Sequence, residues 1–255
     1  MSENRKFSVL MSVYIKENPT FLEEAVESIL HQTLKPSEVV IVEDGPLTPE
    51  LYQVLEKLEA QSSIPIKRCP LEQNRGLGLA LQYGVLQCQY DVIARMDTDD
   101  IAVEDRFEQQ FDLMEKENLD LLGGHIAEFI DQPDEIVSYR RVPIKHEEII
   151  AYQRMRSAFN HMTVMFKREM VLKSGNYEDG LYMEDDLLWL NMISAGARTG
   201  NVDQILCKVR VGAGMFERRG GLRYLKLYRQ ARQRMHARGQ ISYGEYLKSV
   251  LIQVV

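Results

Sequence analysis

The segment YDVIARMDTDD, residues 90–100, indicates the fold because an apolar stretch ends in a cluster of acids. Residues 90–96 contain the Val and Ile that favour a buried β-strand. Asp97, Asp99 and Asp100 follow this strand directly. In open α/β sheets, ligands bind beyond the carboxyl ends of the strands. We therefore expect these acids to lie at a binding site.

The sequence on the N-terminal side of this segment alternates between strand and helix patterns. Asn18-Pro19 and Thr48-Pro49 are typical of helix starts, where a capping residue precedes a Pro in the first turn. Near-continuous apolar strands that alternate with helices predict an α/β fold with a mainly parallel sheet, covered by helices on both faces. The predicted strands are Phe7–Tyr14, Glu38–Val42, Ile64–Cys69 and Tyr90–Met96, and a further helix covers Gly78–Leu86.

The second half of the chain is less regular. Apolar residues between Leu119 and Ile130 are interrupted by two glycines. A basic helical stretch near the end is stopped by Gly239, and Ser242 with Glu245 forms the capping-box pattern of a final helix. Periodicity also predicts a helix over 103–117, strands at His161–Phe166 and Gln204–Val211, and a helix that begins near Glu184.

The composition is that of an ordinary globular protein. Of the 255 residues, 45% are hydrophobic and 27% are charged, which excludes a disordered or collagen-like chain. Cys69, Cys88 and Cys207 lie far apart, so neither a zinc site nor a disulfide framework is predicted. No apolar run approaches the roughly 18 residues that span a bilayer, and no signal-peptide core follows the N-terminus. We expect a cytoplasmic protein.

Charge is distributed unevenly along the chain. Residues 207–255 contain 11 Lys and Arg but only two acids, a segment charge of +9. The first 206 residues hold the other 20 basic and 36 acidic residues, a charge of −16. An acidic body with a basic tail argues against general nucleic-acid binding and favours a local contact with phosphate or an anionic membrane surface.

The acids of residues 97–100 predict a cation site. Asp97 and Asp99 are two residues apart, so at an extended strand end both side chains point to the same side. Asp100 adds a third carboxylate. Crowded carboxylates are unfavourable unless a cation relieves them, and hard oxygen ligands select Mg²⁺ or Mn²⁺. A solvated acidic turn that caps the next helix is the alternative.

A second acidic group lies in YMEDDLLW, residues 182–189. Glu184, Asp185 and Asp186 precede an apolar run and so fall at a helix start, where the helix dipole favours carboxylates. Helix capping alone would explain them. A carboxylate held at a helix entrance can also serve as a general base toward a hydroxyl.

Taken together, these pieces resemble the family 2 glycosyltransferases, nucleotide-sugar enzymes of the GT-A fold. The matching segments are SVLMSVY, ESILHQT, VVIVEDG, NRGLGLALQYGV, MDTDD as the DxD motif and MEDDLLW as the Glu-Asp motif, in the family's order over residues 7–211. VRVGAGMFERRGG resembles the bacterial capsule and exopolysaccharide transferases of the amylovoran type. The resemblance implies a catalytic domain over 1–211, with a nucleotide-binding half 1–100 and an acceptor half 101–211, and a helical tail over 212–255.

The resemblance also implies a UDP-sugar donor. The ring of Tyr14 would stack on uracil and Asp44 would hydrogen-bond the base edge, with Glu43 a neighbour. Residues implied to contact the nucleotide sugar are Ser12, Tyr14, Asp44, Arg75, Asp97, Asp100 and Arg210.

The implied cofactor is Mn²⁺ or Mg²⁺, which Asp99 and Asp97 would hold against the diphosphate. Family members often carry a His after the last strand as a further metal ligand. Here the corresponding stretch, residues 210–214, contains no His. The resemblance therefore leaves phosphate neutralisation to Arg210, Arg218 or Arg219.

On the acceptor side, the resemblance implies that Asp185 is the catalytic base and that Glu184 contacts the acceptor. His161 matches a family position near the acceptor, although a His in an apolar strand is as often a satisfied core residue. Trp189 is a candidate acceptor platform, and core packing is its alternative.

The implied function is an inverting, metal-dependent transfer of a sugar to a hydroxyl of a surface polysaccharide or a polyprenyl-diphosphate-linked glycan. A non-catalytic nucleotide-sugar binding module is the alternative. A dehydrogenase is disfavoured because SVYIKEN, residues 12–18, follows the first strand in place of GxGxxG. A nucleotidyltransferase would need a Gly-rich basic loop at the same place.

The basic tail predicts a peripheral membrane contact. Residues 221–239 combine an apolar stripe, which includes Tyr224, Leu225, Tyr228 and Met235, with flanking cations such as Arg229, Arg232 and Arg234. This is the pattern of a helix on an anionic interface. Packing of the stripe on the catalytic domain is the alternative.

Overall fold

The structure, a computed structural model, describes residues 5–179, 183–212 and 221–254. Nine strands and nine α-helices lie in this part of the chain. The strands are β1 (Phe7–Val13), β2 (Glu38–Glu43), β3 (Ile66–Pro70), β4 (Val92–Arg95), β5 (Ile101–Ala102), β6 (Leu121–Phe129), β7 (Ile136–Arg140), β8 (Met165–Lys167) and β9 (Thr199–Arg210). The helices are α1 (Pro19–Leu30), α2 (Pro49–Gln61), α3 (Leu77–Gln87), α4 (Arg106–Glu117), α5 (His146–Gln153), α6 (Arg168–Lys173), α7 (Glu184–Ser194), α8 (Gly221–Ala237) and α9 (Tyr243–Val254).

One sheet organises the molecule, with strand order β3-β2-β1-β4-β8-β6-β9-β5 and β7 paired to β6. The strands β3, β2, β1 and β4 are parallel. β8 is antiparallel to both β4 and β6, whereas β9 is parallel to β6. The carboxyl ends of β1, β2 and β4 therefore meet at one edge of the sheet. The predicted, mainly parallel sheet is confirmed.

Helices cover both faces of this sheet. Along β1, Val9 and Met11 pack into the core under α1, α2 and α4, whereas Leu10 packs into the opposite core under α3, α6 and α7. Each of these three side chains has no exposed surface. Burial on both faces explains why the strand reads as a continuous apolar run.

Helix starts lie where the capping patterns predict them. Asn18 and Thr48 each accept a hydrogen bond from a backbone N–H of the first turn that follows. At α9, the backbone N–H of Ser242 donates to Glu245 at 2.6 Å, and the N–H of Glu245 donates to the Ser242 hydroxyl at 3.2 Å. These local hydrogen bonds satisfy N–H groups that the helix itself leaves unpaired.

The middle of the chain differs from the sequence-based prediction. His161 lies in a 3₁₀ turn, and the strand begins only at Met165. β6 runs unbroken through Gly123 and Gly124, where the absence of a side chain lets Leu206 pack closely: a Cβ on Gly124 would lie 2.4 Å from Leu206 Cδ1. The strand β7 and the helix α5 had no predicted counterpart.

The basic tail packs on the rest of the protein. Tyr228, Ala231 and Met235 of α8 are buried in a cluster with Leu187 and Leu190 of α7. The apolar stripe of α8 is therefore not free to lie on a membrane. Packing of this stripe on the rest of the protein, the alternative in the sequence analysis, is what the structure shows.

Arg232 of α8 adds buried hydrogen bonds to this contact. Its side chain is 1% exposed and donates to the carbonyl oxygens of Arg154 at 3.1 Å and Met155 at 2.6 Å, just beyond the end of α5. A guanidinium is well suited to such a site because its donors lie in a fixed fork. The charge thus satisfies carbonyl groups that the end of α5 leaves unpaired.

We predict that Arg232→Gln lowers the free energy of unfolding by about 2–4 kcal/mol, because two buried carbonyls lose a charged donor. Arg229→Gln is the matched control: Arg229 is exposed on the same helix, and within the part of the chain that the structure describes its side chain donates to the Tyr246 hydroxyl alone. Its expected effect is about 0.5 kcal/mol or less. Urea unfolding measures both, and equal stability of the two variants would contradict the packing described here.

Candidate active site

The acids that follow β4 form one cluster at the carboxyl edge of the sheet. Asp97, Asp99 and Asp100 each offer a carboxylate oxygen, and these oxygens lie within 4.8 Å of one another. Asp97 and Asp99 are half-buried, and Asp100 is buried. The backbone N–H of Arg210 donates to Asp100 Oδ1 at 3.0 Å, which ties the end of β9 to the cluster.

The electrostatics of this cluster fit a divalent cation. Burial, followed by the charges of Asp97 and Glu17, raises the pKa of Asp99 to about 7. Burial and the charge of Asp99 also raise the pKa of Asp100 well above its ordinary value. Three crowded carboxylates resist ionisation unless a positive charge relieves them. Oxygen-only ligands of this kind suit Mg²⁺ and Mn²⁺.

Residues predicted to hold the base lie at the ends of β1 and β2. Ser12 and Tyr14 are half-buried. Asp44 is buried, and its two carboxylate oxygens accept the backbone N–H groups of Arg75 at 2.6 Å and Gly76 at 3.0 Å. Asp44 thereby shapes the turn that leads into α3 and leaves the Arg75 side chain exposed. Its hydrogen bond to a base stays a prediction.

Two features support this turn from outside it. Gly45 has φ of +86°, and a Cβ there would lie 2.6 Å from the backbone nitrogen of Asn74, so a side chain would be both strained and obstructed. Arg68 donates to Glu43 at 2.6 Å. This ion pair directs Glu43 toward β3, and its place as a neighbour of the site stays a prediction.

The second acidic group begins α7, as predicted. Asp185 accepts the backbone N–H of Asp186 at 2.8 Å, so it caps its own helix. Burial, followed by the charges of Asp186 and Glu184, raises the pKa of Asp185 to about 7. Asp186 is buried and accepts a hydrogen bond from Gln153 of α5 at 2.7 Å. Asp185 is half-buried and has the pKa that suits a general base near neutral pH.

His161 lies near the residues that precede α7. Its Nε2 is 2.9 Å from the Tyr177 hydroxyl, and its side chain is half-buried. Burial, together with the charge of Arg95, lowers the pKa of His161 well below its ordinary value, so the ring is neutral at pH 7. This hydrogen bond gives Nε2 of His161 a partner within the protein, as the core alternative expected. A contact between His161 and the acceptor stays a prediction.

Trp189 has no exposed surface. Its ring centroid lies 5.7 Å from Phe159, 5.9 Å from His161 and 6.3 Å from Tyr177. It cannot touch an acceptor in this structure, so the platform prediction is corrected in favour of packing. Its contribution to the site is to support His161 and Tyr177.

Arg210 does not direct its side chain at the acidic cluster. The guanidinium lies 3.8 Å from the ring centroid of Phe21 and 4.6 Å from that of Phe129, and it donates to Glu24 of α1 at 2.7 Å. Only its backbone reaches Asp100. The predicted contact of this side chain with phosphate is therefore corrected. Arg218 and Arg219 lie outside the described residues.

Sequence reasoning missed two residues of the site. Glu17, in the turn after β1, accepts a hydrogen bond from the Thr98 hydroxyl at 2.5 Å and lies close enough to raise the pKa of Asp99. A single Glu in a turn gives no signal of this. Arg95 is 1% exposed and donates to Asp97. A cation within an apolar strand, two residues before an acidic cluster, was the signal that could have identified it.

Solved structures place this fold among the GT-A glycosyltransferases. The mannosyltransferase PcManGT from Pyrobaculum calidifontis, in complex with GDP-Man and Mn²⁺, superposes with a TM-score of 0.68 at 15% identity. The match covers 91% of this chain, and this chain spans 64% of that protein. At this identity the likeness shows the fold alone, and it confirms the predicted GT-A architecture.

Sequence comparison gives the family. The family described as glycosyl transferase family 2 matches residues 8–175. The amylovoran biosynthesis glycosyltransferase AmsE of Erwinia amylovora is 41% identical over 221 residues, which are 86% of this chain and 82% of that protein. The UDP-Gal:alpha-D-GlcNAc-diphosphoundecaprenol beta-1,3-galactosyltransferase of Escherichia coli is 36% identical over 250 residues, 98% of this chain and 90% of that protein. The chain belongs to glycosyl transferase family 2 and is a glycosyltransferase.

We predict that Mn²⁺ binds to this protein and that Asp99→Asn weakens the binding at least tenfold, because one of the two predicted carboxylate ligands is lost. Binding should also strengthen as the pH rises through about 7, where Asp99 loses its proton. Titration calorimetry at several pH values measures both effects.

Asp91→Asn is the matched control for this prediction, since Asp91 is an exposed acid just before β4, at the opposite end from the cluster. It should bind Mn²⁺ like the parent protein. Binding that is independent of pH, or unchanged in Asp99→Asn, would show that the cluster is not the cation site.

Proposed function

We propose that this protein is an inverting, cation-dependent glycosyltransferase that moves a hexose from a UDP-sugar to a hydroxyl of a lipid-linked oligosaccharide or growing polysaccharide. One observation carries the proposal: a carboxylate cluster fit for a cation and a carboxylate with a pKa of about 7 share one site. Burial and the charge of Asp97 raise the pKa of Glu184, so the two groups lie within electrostatic range.

The donor is inferred from the relatives and from the base pocket. The Escherichia coli relative is named for UDP-Gal, which supports UDP as the nucleotide here. Ser12, Tyr14 and Asp44 lie together at the ends of adjacent strands, with Arg75 beside them. An aromatic ring with neighbouring polar groups suits a nucleobase, which offers a flat face and a polar edge.

The acceptor is inferred in the same way. The name of that relative gives an acceptor linked to diphosphoundecaprenol, and AmsE is named for the synthesis of a polysaccharide. In our proposal, Glu184 contacts the acceptor sugar and His161 lies at the edge of its site. A neutral His161 can donate or accept a hydrogen bond to a sugar hydroxyl.

Transfer requires a better nucleophile and a better leaving group. Asp185 takes the proton of the acceptor hydroxyl, and the oxygen then attacks the anomeric carbon as its bond to the diphosphate breaks. One direct displacement inverts the anomeric configuration. When bound at Asp99 and Asp97, Mn²⁺ or Mg²⁺ supplies positive charge that stabilises the departing diphosphate. Asp100 lies close enough to these ligands to face the donor sugar.

A screen of UDP-, GDP- and TDP-sugars for Mn²⁺-dependent release of the nucleoside diphosphate, with a polyprenyl-diphosphate-linked GlcNAc acceptor, tests the proposal. We predict that a UDP-hexose is used and that Asp185→Asn lowers the transfer rate by about a hundredfold or more, the effect of losing a positioned base.

Asp185→Asn should bind UDP and Mn²⁺ about as tightly as the parent, because the base does not hold the donor. Asp112→Asn, which alters an exposed acid on α4, is the control and should retain full activity. A folded Asp185→Asn protein with undiminished turnover would overturn the base assignment. Tight UDP binding without transfer to any acceptor would favour a non-catalytic binding module.

For a lipid-linked acceptor, we propose that α9 is the surface that contacts the membrane. Tyr243, Leu247, Leu251 and Ile252 of this helix are 42–66% exposed. Lys248 is exposed between them, and Lys226 and Arg229 are exposed on the adjacent α8. A dimer formed through this face would bring Lys248 close to Lys248 of the second copy, and the two positive charges would repel. An anionic lipid surface would instead attract the charge of Lys248. No helix within the described residues is long and apolar enough to cross a bilayer.

We predict that the protein co-sediments with vesicles containing phosphatidylglycerol and that Leu247→Ser/Leu251→Ser abolishes this, because apolar insertion is lost. Added salt should weaken binding, since each nearby cation contributes about 1 kcal/mol. Val137→Ser/Tyr139→Ser, which alters two exposed apolar residues on β7, is the control and should bind normally. Failure of the parent protein to bind these vesicles at low salt would contradict the proposal. A concentration-dependent dimer that Leu247→Ser/Leu251→Ser dissociates would also contradict it, because α9 would then be a dimer interface.

A further inference from the structure

A groove of about 470 Å³ lies beside α7, outside the site described above. Its walls come from three parts of the chain: the end of α6 with the residues that follow it, the second half of α7, and the turn after α8. Most of the side chains that line it are polar, and we call it the polar groove. They include Lys173, Ser174, Glu178, Asn191, Ser194 and Arg238.

Hydrogen bonds fix one wall of the polar groove. The two carboxylate oxygens of Glu178 accept from the guanidinium of Arg238 at 2.5 and 2.9 Å. Gln240 donates to the side chain of Asn191 at 2.7 Å, which joins the turn after α8 to α7. These polar groups are therefore held in place by the protein itself, and a ligand that binds them has little side-chain freedom to remove.

The lining of the polar groove suits sugar hydroxyls. Within the described residues it contains no aromatic ring and no long apolar side chain, which disfavours a nucleobase or a lipid chain. Because Glu178 matches the charge of Arg238, Lys173 is the one cation among the described lining residues without a carboxylate partner, too little charge to favour a diphosphate. The amide of Asn191 and the hydroxyl of Ser194 can both donate and accept hydrogen bonds, as sugar hydroxyls do. The lining therefore fits a neutral oligosaccharide.

The polar groove adjoins the first turn of α7. A Cβ on Gly78, at the start of α3, would lie 2.5 Å from the carbonyl oxygen of Glu178 and 3.0 Å from Cβ of Glu184. Glu178 belongs to the groove, and Glu184 is the residue proposed to contact the acceptor sugar. The two places therefore meet at one point of α3.

The helix α7 also connects the two places. Asn191 follows Glu184 by seven residues, which is two helical turns, so both residues lie on one face of α7. Seven residues extend about 10 Å along a helix. A ligand that contacts Glu184 and Asn191 together is therefore longer than a single sugar ring.

We propose that the polar groove binds the part of the acceptor glycan that precedes the reacting sugar, and that the enzyme thereby selects an oligosaccharide over a single sugar. The reacting sugar lies at Glu184, and the preceding sugars lie against Asn191 and Ser194. The inference rests on the proposed function where it treats Glu184 as an acceptor contact. Binding of an oligosaccharide to the groove can be measured without any transfer.

The test measures binding to the full chain without donor or cation. The probes are lacto-N-tetraose, chitotetraose and maltotetraose, each compared with its constituent monosaccharides. NMR follows the side-chain amide signals of Asn191 and Gln240, which Asn191→Asp and Gln240→Glu assign. We expect at least one tetrasaccharide to shift these signals, and its monosaccharides at the same concentration to leave them in place.

Ser194→Trp fills the polar groove with a bulky side chain and keeps the hydrogen bonds of Glu178 and Asn191. It should weaken tetrasaccharide binding by about tenfold or more, because a clash excludes the ligand. Lys173→Trp fills the groove from the opposite wall and is the second variant. Gln61→Trp is the matched control, since Gln61, like Ser194, is an exposed polar residue at the last position of its helix. Its helix, α2, packs on the other face of the sheet, so binding should equal that of the parent.

Transfer kinetics provide the second readout. Ser194→Trp should raise KM for a tetrasaccharide acceptor by about tenfold or more and leave KM for the UDP-sugar near that of the parent, because the groove does not hold the donor. Gln61→Trp should change neither value. A substitution that only disturbed the fold would affect both substrates.

The outcomes separate this inference from the proposed function. Tetrasaccharide binding by a protein that transfers no sugar supports the groove and counts against the proposed function alone. Equal transfer to single sugars and to tetrasaccharides overturns the inference and leaves the proposed function intact. The inference also fails if none of the three tetrasaccharides shifts the signals, or if both Trp variants in the groove bind like the parent. A shift caused by pyrophosphate alone would make the groove an anion site and overturn it too.

Discussion

Repulsion among carboxylates is the constraint on which this site depends. Asp97, Asp99 and Asp100 are held together at the end of one strand, and burial makes their ionisation harder still. The fold resists this repulsion from several directions. Arg95 donates to Asp97 and the backbone N–H of Arg210 donates to Asp100, whereas Glu17, which accepts a hydrogen bond from Thr98, adds a further negative charge beside the cluster. The sheet edge is thus prepared for positive charge before a ligand arrives.

Parallel pairing of β2, β1 and β4 explains why Ser12, Asp44 and the acids after β4 lie at one edge, since the carboxyl ends of parallel strands meet at the same edge of a sheet. The helix α7 approaches that edge by another route. α7 packs through Leu188 and Met192 on the face of the sheet that α3 and α6 cover, and the charge of Asp97 acts on Glu184 in its first turn. The two acidic groups therefore come from elements that are remote in sequence, β4 and α7.

Local chemistry made part of this structure predictable. The starts of α1, α2 and α9 depend on capping residues, which a proline follows at α1 and α2, so a few adjacent residues specify them. Apolar runs specified the parallel strands. β7 escaped prediction because it is largely exposed, and His161 left its expected strand for a turn secured by Tyr177. The side chain of Arg210 was misplaced because its partners, Phe21, Phe129 and Glu24, are distant in sequence.

The hydrogen bonds of Arg232 bear on how such enzymes can be recombined. Arg232 satisfies the carbonyls beyond α5, and Gln153 at the end of α5 holds Asp186 beside the proposed base. The tail and α7 are therefore both linked to α5 by hydrogen bonds. A chimera that joins the tail of one relative to the domain of another would break the links between the tail and α5. Exchange of α5, α7 and α8 as one block would preserve them.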